Sequence, residues 1–450
     1  MRVAPIEIGG RVMGKRIAAL LCAFLSVASG LALIAVGVFG AIGGGRASEQ
    51  FLRSVVPFSL GLLLLELGLA IGWVTWLAAR GAAQPAVKLP RWWLPVIAYV
   101  AAVAIGIGLL QLGWWWLFLP CAAIAVTAPL AVVGRLGLPS SGTTLTWRRL
   151  LPAFAWGALV TPLLAITLQL LAAVGALAAA AFGFALGGQQ NVTLLTQIVQ
   201  RLQGRTLTDA QTEALIRIVA AQPLVLLVGF FVVVFVGPVT EELGKFGAAL
   251  LFGRTRGERA AQDSTLAIFL IGLTAGLGFA ITENIFYTAQ AGSAGWPVQI
   301  VVRAVTPLMH GTASALLALG WAQQRHAPGG WALLRGVALA IGLHAVWNLF
   351  AGVFSVAQIF SGVGGAAGTG AIVLAVLGGL GLVALAVTSW LTLLRLRRAL
   401  SARSDGTPNL PTPGGMERTD PRLTLPAPPG AAPAPATSEG QWRPAEPQHP

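Results

Sequence analysis

The sequence predicts an all-α fold, a polytopic transmembrane helical bundle of about ten helices with a disordered Pro/Ala-rich C-terminal tail. Three observations carry this expectation. Hydrophobic residues make up 56% of the 450 positions and charged residues only 10%, against roughly 25% charged in soluble domains, so most side chains cannot face water. Apolar runs near the ~20 residues that a helix needs to cross a bilayer recur from Ile17 to Leu394. From about Ser401 to Pro450 the composition changes to Pro, Ala, Thr and Gly without apolar periodicity, a segment unable to bury enough surface to order itself.

The predicted spans are about 17–42, 56–79, 92–110, 115–133, 152–186, 222–252, 265–288, 298–321, 332–354 and 371–394. Arg11, Lys15 and Arg16 precede the first, as in a signal peptide. Its apolar run exceeds the usual ~7–15 residues of such a region, which predicts an uncleaved anchor. The fifth is too long: at 1.5 Å per residue it would reach roughly 50 Å, so it projects, tilts or bends near Pro162. Between the fifth and sixth lies the one long outer loop, 187–221, where Val192, Leu195, Ile198, Val199 and Leu202 recur at helical spacing. Thr208 with Gln211 resembles a capping box. The loop reads as an outer-leaflet surface helix or, more sharply, a substrate gate.

The resulting organisation is membrane helices one to five over 1–186, an extracytoplasmic amphipathic loop over 187–221, a core over 222–354, a last membrane helix within 355–400 and a cytoplasmic tail over 401–450. The formal charge of +14 reflects orientation rather than a nucleic-acid partner. Lys and Arg gather in the N-terminal segment, in alternate loops and at Arg395, Arg397, Arg398 and Arg403. On the other side lie Arg46, Arg53, Arg201, Arg205 and Arg217. By the positive-inside rule both termini are cytoplasmic in a multi-pass inner-membrane protein. No basic stretch is interleaved with aromatics on a soluble domain, so the partners expected are the lipid bilayer and a membrane-anchored protein, with no nucleic acid. Cys22 and Cys121 sit in apolar spans as small packing residues.

Ionisable side chains are distributed unevenly. Spans one to five hold Glu66 alone well inside the apolar region and the tenth holds none, whereas spans six to nine hold Glu241, Glu242, Lys245, Glu283, Arg303, His310 and His344. Each charge at membrane depth costs about 2.5–3.5 kcal/mol on insertion scales, so the cluster needs a compensating role. In Pro238–Lys245, Glu241 and Lys245 stand four apart on one helix face, so Lys245 can neutralise one carboxylate while the other points about 100° away. The plainer reading is an ion-paired helix end. Phe279-Ala280-Ile281-Thr282-Glu283-Asn284 adds a third acid, whose position late in the seventh span conflicts in depth with Glu241 and Glu242. His310 and His344 lie near mid-span on neighbouring helices, and Asn348 follows His344 by four residues on the same face. A lone His in an apolar helix is more often an interhelical hydrogen-bonder; two at matching depth point to chemistry. Arg303 reads better as snorkelling to the outer interface than as a counter-ion for Glu283. Glu66 reads as an isolated packing residue, and His326 and His449 as bland.

Taken in order, E-E-x-x-K, F-x-x-x-E-N, a mid-helix His and H-x-x-W-N on four consecutive helices closely resemble the PrsW family of bacterial intramembrane proteases. They are more distantly similar to the CAAX-prenyl protease and bacteriocin-processing superfamily. The phenylalanine motif here ends in Glu283 where that superfamily has His, which favours PrsW. The resemblance covers about 222–354 and implies an intramembrane endopeptidase with Glu241, Glu242, Glu283, His310, His344 and Asn348 in the catalytic site and Lys245 and Asn284 in support. It further implies a membrane-anchored substrate, such as an anti-sigma factor cut during envelope stress.

No Ser-His or Cys-His arrangement stands out, so hydrolysis needs an activated water. Two mechanisms stay open: a glutamate and histidine acting as base and oxyanion partner, or a divalent metal such as Zn held by His310, His344 and Glu242 with another Glu as base. H-E-x-x-H is absent. The rival from another class is a transporter or channel using the buried acids as proton or cation sites, but the sequence shows no convincing repeated halves with interrupted helices of the kind typical of transporters.

Overall fold

The computed structural model describes residues 8–42, 47–83, 87–137, 146–186, 223–253, 265–326, 330–361 and 366–404. The expected helix in 187–221 and the tail beyond Ser404 lie outside them. Among the described residues thirteen α-helices follow in order: α1 Ile8–Ile42, α2 Ala47–Ala79, α3 Trp93–Gln111, α4 Trp115–Gly137, α5 Trp147–Ala155, α6 Thr161–Leu186, α7 Pro223–Phe231, α8 Gly237–Phe252, α9 Thr265–Gln290, α10 Gly292–Arg303, α11 Thr306–His326, α12 Ala332–Ser361 and α13 Ala366–Ser404. Among the described residues nine helical stretches are long and apolar enough to cross a membrane, and a bent pair brings the number to ten. This is the polytopic bundle that the apolar runs predict.

The most enclosed helix is α9, which touches α2, α4, α5, α8, α10, α11 and α13. Phe269, Ile271, Leu273, Ile281 and Ile285 fill the core from it, and Phe51, Phe118, Leu119 and Trp296 meet them from α2, α4 and α10. Trp296 stands edge-on to Phe118 with ring centroids 4.9 Å apart. Glycine lets α11 come close: a Cβ on Gly276 would collide with the carbonyl oxygen of His310. That approach brings the His310 turn against α9. On the periphery, α3, α6 and α13 present exposed Leu, Ile and Val, which suits side chains facing lipid instead of water.

Two spans depart from straight helices. The fifth passes from α5 to α6 through a π-helical turn, Trp156–Val160, and the sixth from α7 to α8 through another, Val232–Val236. Pro162 and Pro238 follow these turns and supply no N–H, and a side chain of another helix donates into each region. Thr282 Oγ1 donates to Ala158 O at 2.6 Å and Asn348 Nδ2 to Val233 O at 2.9 Å. In a bilayer a freed carbonyl must find such a donor. Of the projection, tilt or bend expected of the fifth span, the structure shows a π turn just before Pro162.

The eighth span corrects the expectation of one helix over 298–321. α10 and α11 meet at a 42° bend, and α10 starts earlier, just past α9, at Gly292, whose φ of +65° suits glycine. The bend turns Arg303 inward. Arg303 consequently does not snorkel; it pairs with Glu283.

Candidate active site

Four helices converge on one polar cluster. From α8, the turn after Pro238 aims Glu241, Glu242 and Lys245 inward, all buried. Trp156 Nε1 donates to Gly244 O at 2.8 Å, which clamps this part of α8 against the π turn. α9 brings Glu283 and Asn284, α11 brings His310 and Ser314, and α12 brings His344 and Asn348.

Glu242 lies at the dry centre. Its Oε1 accepts from Lys245 Nζ at 2.6 Å and lies 2.8 Å from His344 Nδ1, while Oε2 accepts from Ser314 Oγ at 3.0 Å. Lys245 thus pairs with the residue three before it, and Glu241 Oε2, expected as its i,i+4 partner, lies 4.0 Å away. Lys245 Nζ also stands 3.0 Å from His310 Nδ1 and 4.3 Å over the ring of Phe279. These contacts satisfy an ammonium buried completely.

Glu241 is held differently. Gln169 Nε2 of α6 donates to its Oε1 at 3.0 Å, while Oε2 is buried with no hydrogen-bond partner and lies 3.5 Å from His344 Nε2. Because Glu242 engages Nδ1, the histidine presents Nε2 to Glu241. The two imidazoles stand perpendicular with centroids 4.8 Å apart. On the far side, Glu283 Oε2 contacts both Arg303 Nη2 and His310 Nε2, the latter at 2.7 Å. Asn284 fixes the arginine, accepting from its Nε at 2.9 Å and donating to its carbonyl at 3.2 Å. Asn348 accordingly sits beside the π turn, its amide on Val233 O.

The depth conflict of Glu283 dissolves in this geometry. Arg303 and His310 both contact Glu283, and Glu241 lines the same cavity. That cavity, about 350 Å³, is lined by Glu241, Glu283, His310, Asn348, Arg303 and Gln169 among others. Glu242 does not line it.

Glu241, His310 and His344 each place a ligand atom within 4.8 Å of the others, the group able to hold a metal ion among the described residues. The carboxylate in this group is Glu241, where the sequence offered Glu242 as a candidate. Three features fit a cation. Two imidazoles and a carboxylate are a Zn-type donor set; Glu241 Oε2 is orphaned; and among the described residues the carboxylates of buried Glu241 and Glu242 and of partly buried Glu283 are met by two cationic side chains, Lys245 and Arg303, leaving one formal negative charge for a cation to offset. The Glu242–His344 contact is the carboxylate–histidine pairing that orients metal ligands.

Gln169 and Ser314 escaped the sequence reading. Each carried a signal: Gln169 is an amide inside an apolar helix, and Ser314 follows His310 by four residues, on its face. Replacing Gln169 with Leu is expected to lower turnover about 10- to 100-fold, the range for outer partners of a reactive site, with the unfolding temperature nearly unchanged. Parallel cleavage and thermal-unfolding assays check this; unchanged turnover would show that Glu241 needs no such anchor.

A family model described as PrsW family intramembrane metalloprotease matches residues 145–378. Comparisons with curated proteins and with solved structures give no match.

Proposed function

For a chain that belongs to the PrsW family of intramembrane metalloproteases, we propose that Glu241, His310 and His344 hold a divalent metal ion with which the enzyme cuts membrane-anchored proteins. The single observation that carries this reading is the orphaned Glu241 Oε2 beside His344 Nε2, with His310 completing the group. Membership itself makes the chain an intramembrane protease acting on protein within a lipid environment, and the transporter alternative falls away. The Lys/Arg distribution supports a cytoplasmic-membrane location with both termini inside.

A bound divalent ion would supply Lewis-acid polarisation of the peptide carbonyl and a more acidic water. The chain's own residues do the rest. Glu283, held by Arg303 at the cavity wall, takes a proton from the attacking water and delivers it to the leaving amine nitrogen as the C–N bond breaks; its contact with His310 Nε2 would give way when that nitrogen holds the ion. Asn348 keeps a second amide hydrogen beyond the one given to Val233 O, and this donor faces the developing oxyanion. Glu242 and Lys245 orient the two histidines from behind.

One observation favours a second, metal-free reading. Both ring nitrogens of His310 are engaged, by Lys245 and by Glu283; in that reading Glu241 is the base that activates water. Chelation separates the two. Purified protein is reconstituted with single-pass membrane peptides, washed with chelator, and resupplied with Zn. Loss and recovery of cleavage, with about one ion per chain by elemental analysis and less in His344→Ala, is expected. Undiminished cleavage by metal-free protein would overturn the metal reading in favour of the second.

A further inference from the structure

Away from the catalytic cluster, a cavity of about 460 Å³ lies where the start of α1, the end of α2 and the start of α5 meet, lined by Arg16, Arg148, Thr75, Ile71, Val74 and Leu151 among others. We propose that it binds the phosphate headgroup of an anionic phospholipid. Two guanidinium groups from different helices border one space, and no carboxylate lines it. Like charges so placed repel unless an anion sits between them. Arg16 is brought over from α1 by a bond from Nη2 to Ala78 O at 3.3 Å, which fixes its guanidinium at the cavity edge while other N–H groups of the fork stay available to a phosphate.

Depth and shape select a lipid. Arg80 covers the ring of Trp76 at 4.0 Å, and Trp76 stacks on Trp73 at 5.3 Å; Trp and Arg of this kind mark the headgroup level of a bilayer. Beside the arginines, Ile71, Val74 and Leu151 give the cavity an apolar lining suited to glycerol and acyl carbons, and Thr75 adds a hydroxyl. A zwitterionic headgroup would bring its ammonium toward two arginines, so phosphatidylglycerol or a cardiolipin-type lipid is the occupant. The side is that of the basic loops, where anionic lipid is drawn to Lys and Arg. α1 and α2 precede the family match, whereas Arg148 lies within it, so the lipid would tie the added hairpin to the protease core.

Native mass spectrometry of the full chain from micelles of phosphatidylglycerol and phosphatidylcholine tests this. The wild type is expected to retain phosphatidylglycerol in preference to phosphatidylcholine. The double variant Arg16→Gln/Arg148→Gln is expected to retain about tenfold less or lower still, from the loss of two surface-level cation contacts. Arg16→Lys/Arg148→Lys should keep most of the binding. Ala19→Leu, which fills the cavity without touching a charge, should lose it, and so guards against a double variant that fails to fold. Soluble glycerol phosphate should not displace the lipid. Equal retention of both lipids by the wild type, undiminished retention in the Gln double or in Ala19→Leu, or displacement by glycerol phosphate overturns the proposal.

Discussion

Replacing Glu241 with Gln is expected to lower cleavage of a reconstituted single-pass substrate by about 10²- to 10⁴-fold, the range that positioned proton-transfer and charge-stabilising groups contribute. The fold should survive. Gln169 donates to Glu241 Oε1, and a glutamine can present its carbonyl oxygen there. Its amide nitrogen would then replace Oε2, the oxygen that faces His344 Nε2 without a hydrogen-bond partner. An NH₂ group cannot ligate a cation and cannot accept a proton. Metal content should therefore fall together with turnover, while the unfolding temperature of the metal-free protein changes little, since Gln169 keeps an oxygen to donate to. Turnover within tenfold of wild type, or full metal content, would sink the assignment of Glu241 to the reacting centre.

Much of this architecture was legible because a bilayer is an exacting solvent. The helices appear as apolar runs, and the site appears as the acids and histidines that interrupt them. Glu241, Glu242, Glu283, His310 and His344 announce themselves through the cost of placing charge in hydrocarbon, and the structure draws all five into one cluster. What the sequence hid was direction. Helical periodicity gave Lys245 to Glu241 at i,i+4, but side-chain geometry and the His344 contact gave it to Glu242. Arg303 looked like a residue reaching for the interface because a straight span over 298–321 left it near the outer end; the 42° bend reversed its bearing. Gln169 gave no motif signal because it precedes the motif-bearing helices by more than fifty residues in the sequence. Only the packing of α6 against α8 reveals what its amide reaches.

Truncating Glu242 should do more damage to the fold than truncating Glu241. Glu242 is fully buried and receives three groups: Lys245 Nζ at 2.6 Å, His344 Nδ1 at 2.8 Å and Ser314 Oγ at 3.0 Å. Changing it to Leu removes the 2.6 Å partner of a fully buried ammonium and leaves it only the longer, 4.0 Å contact to Glu241 Oε2. Breaking a buried pair from one side costs about 3–5 kcal/mol, far more than an exposed bridge. The matching double change, Glu242→Leu with Lys245→Met, removes both charges and is expected to recover most of that loss in a reversible unfolding assay in micelles, a coupling that a double-mutant cycle reads directly. Activity should not return with stability. Without the carboxylate on Nδ1, His344 loses the contact that orients Nε2 toward Glu241, and Nδ1 is left without its partner. Stability and turnover therefore separate in the double variant, which distinguishes an orienting carboxylate from a purely structural ion pair. If Glu242→Leu alone were as stable and as active as wild type, Glu242 would be neither.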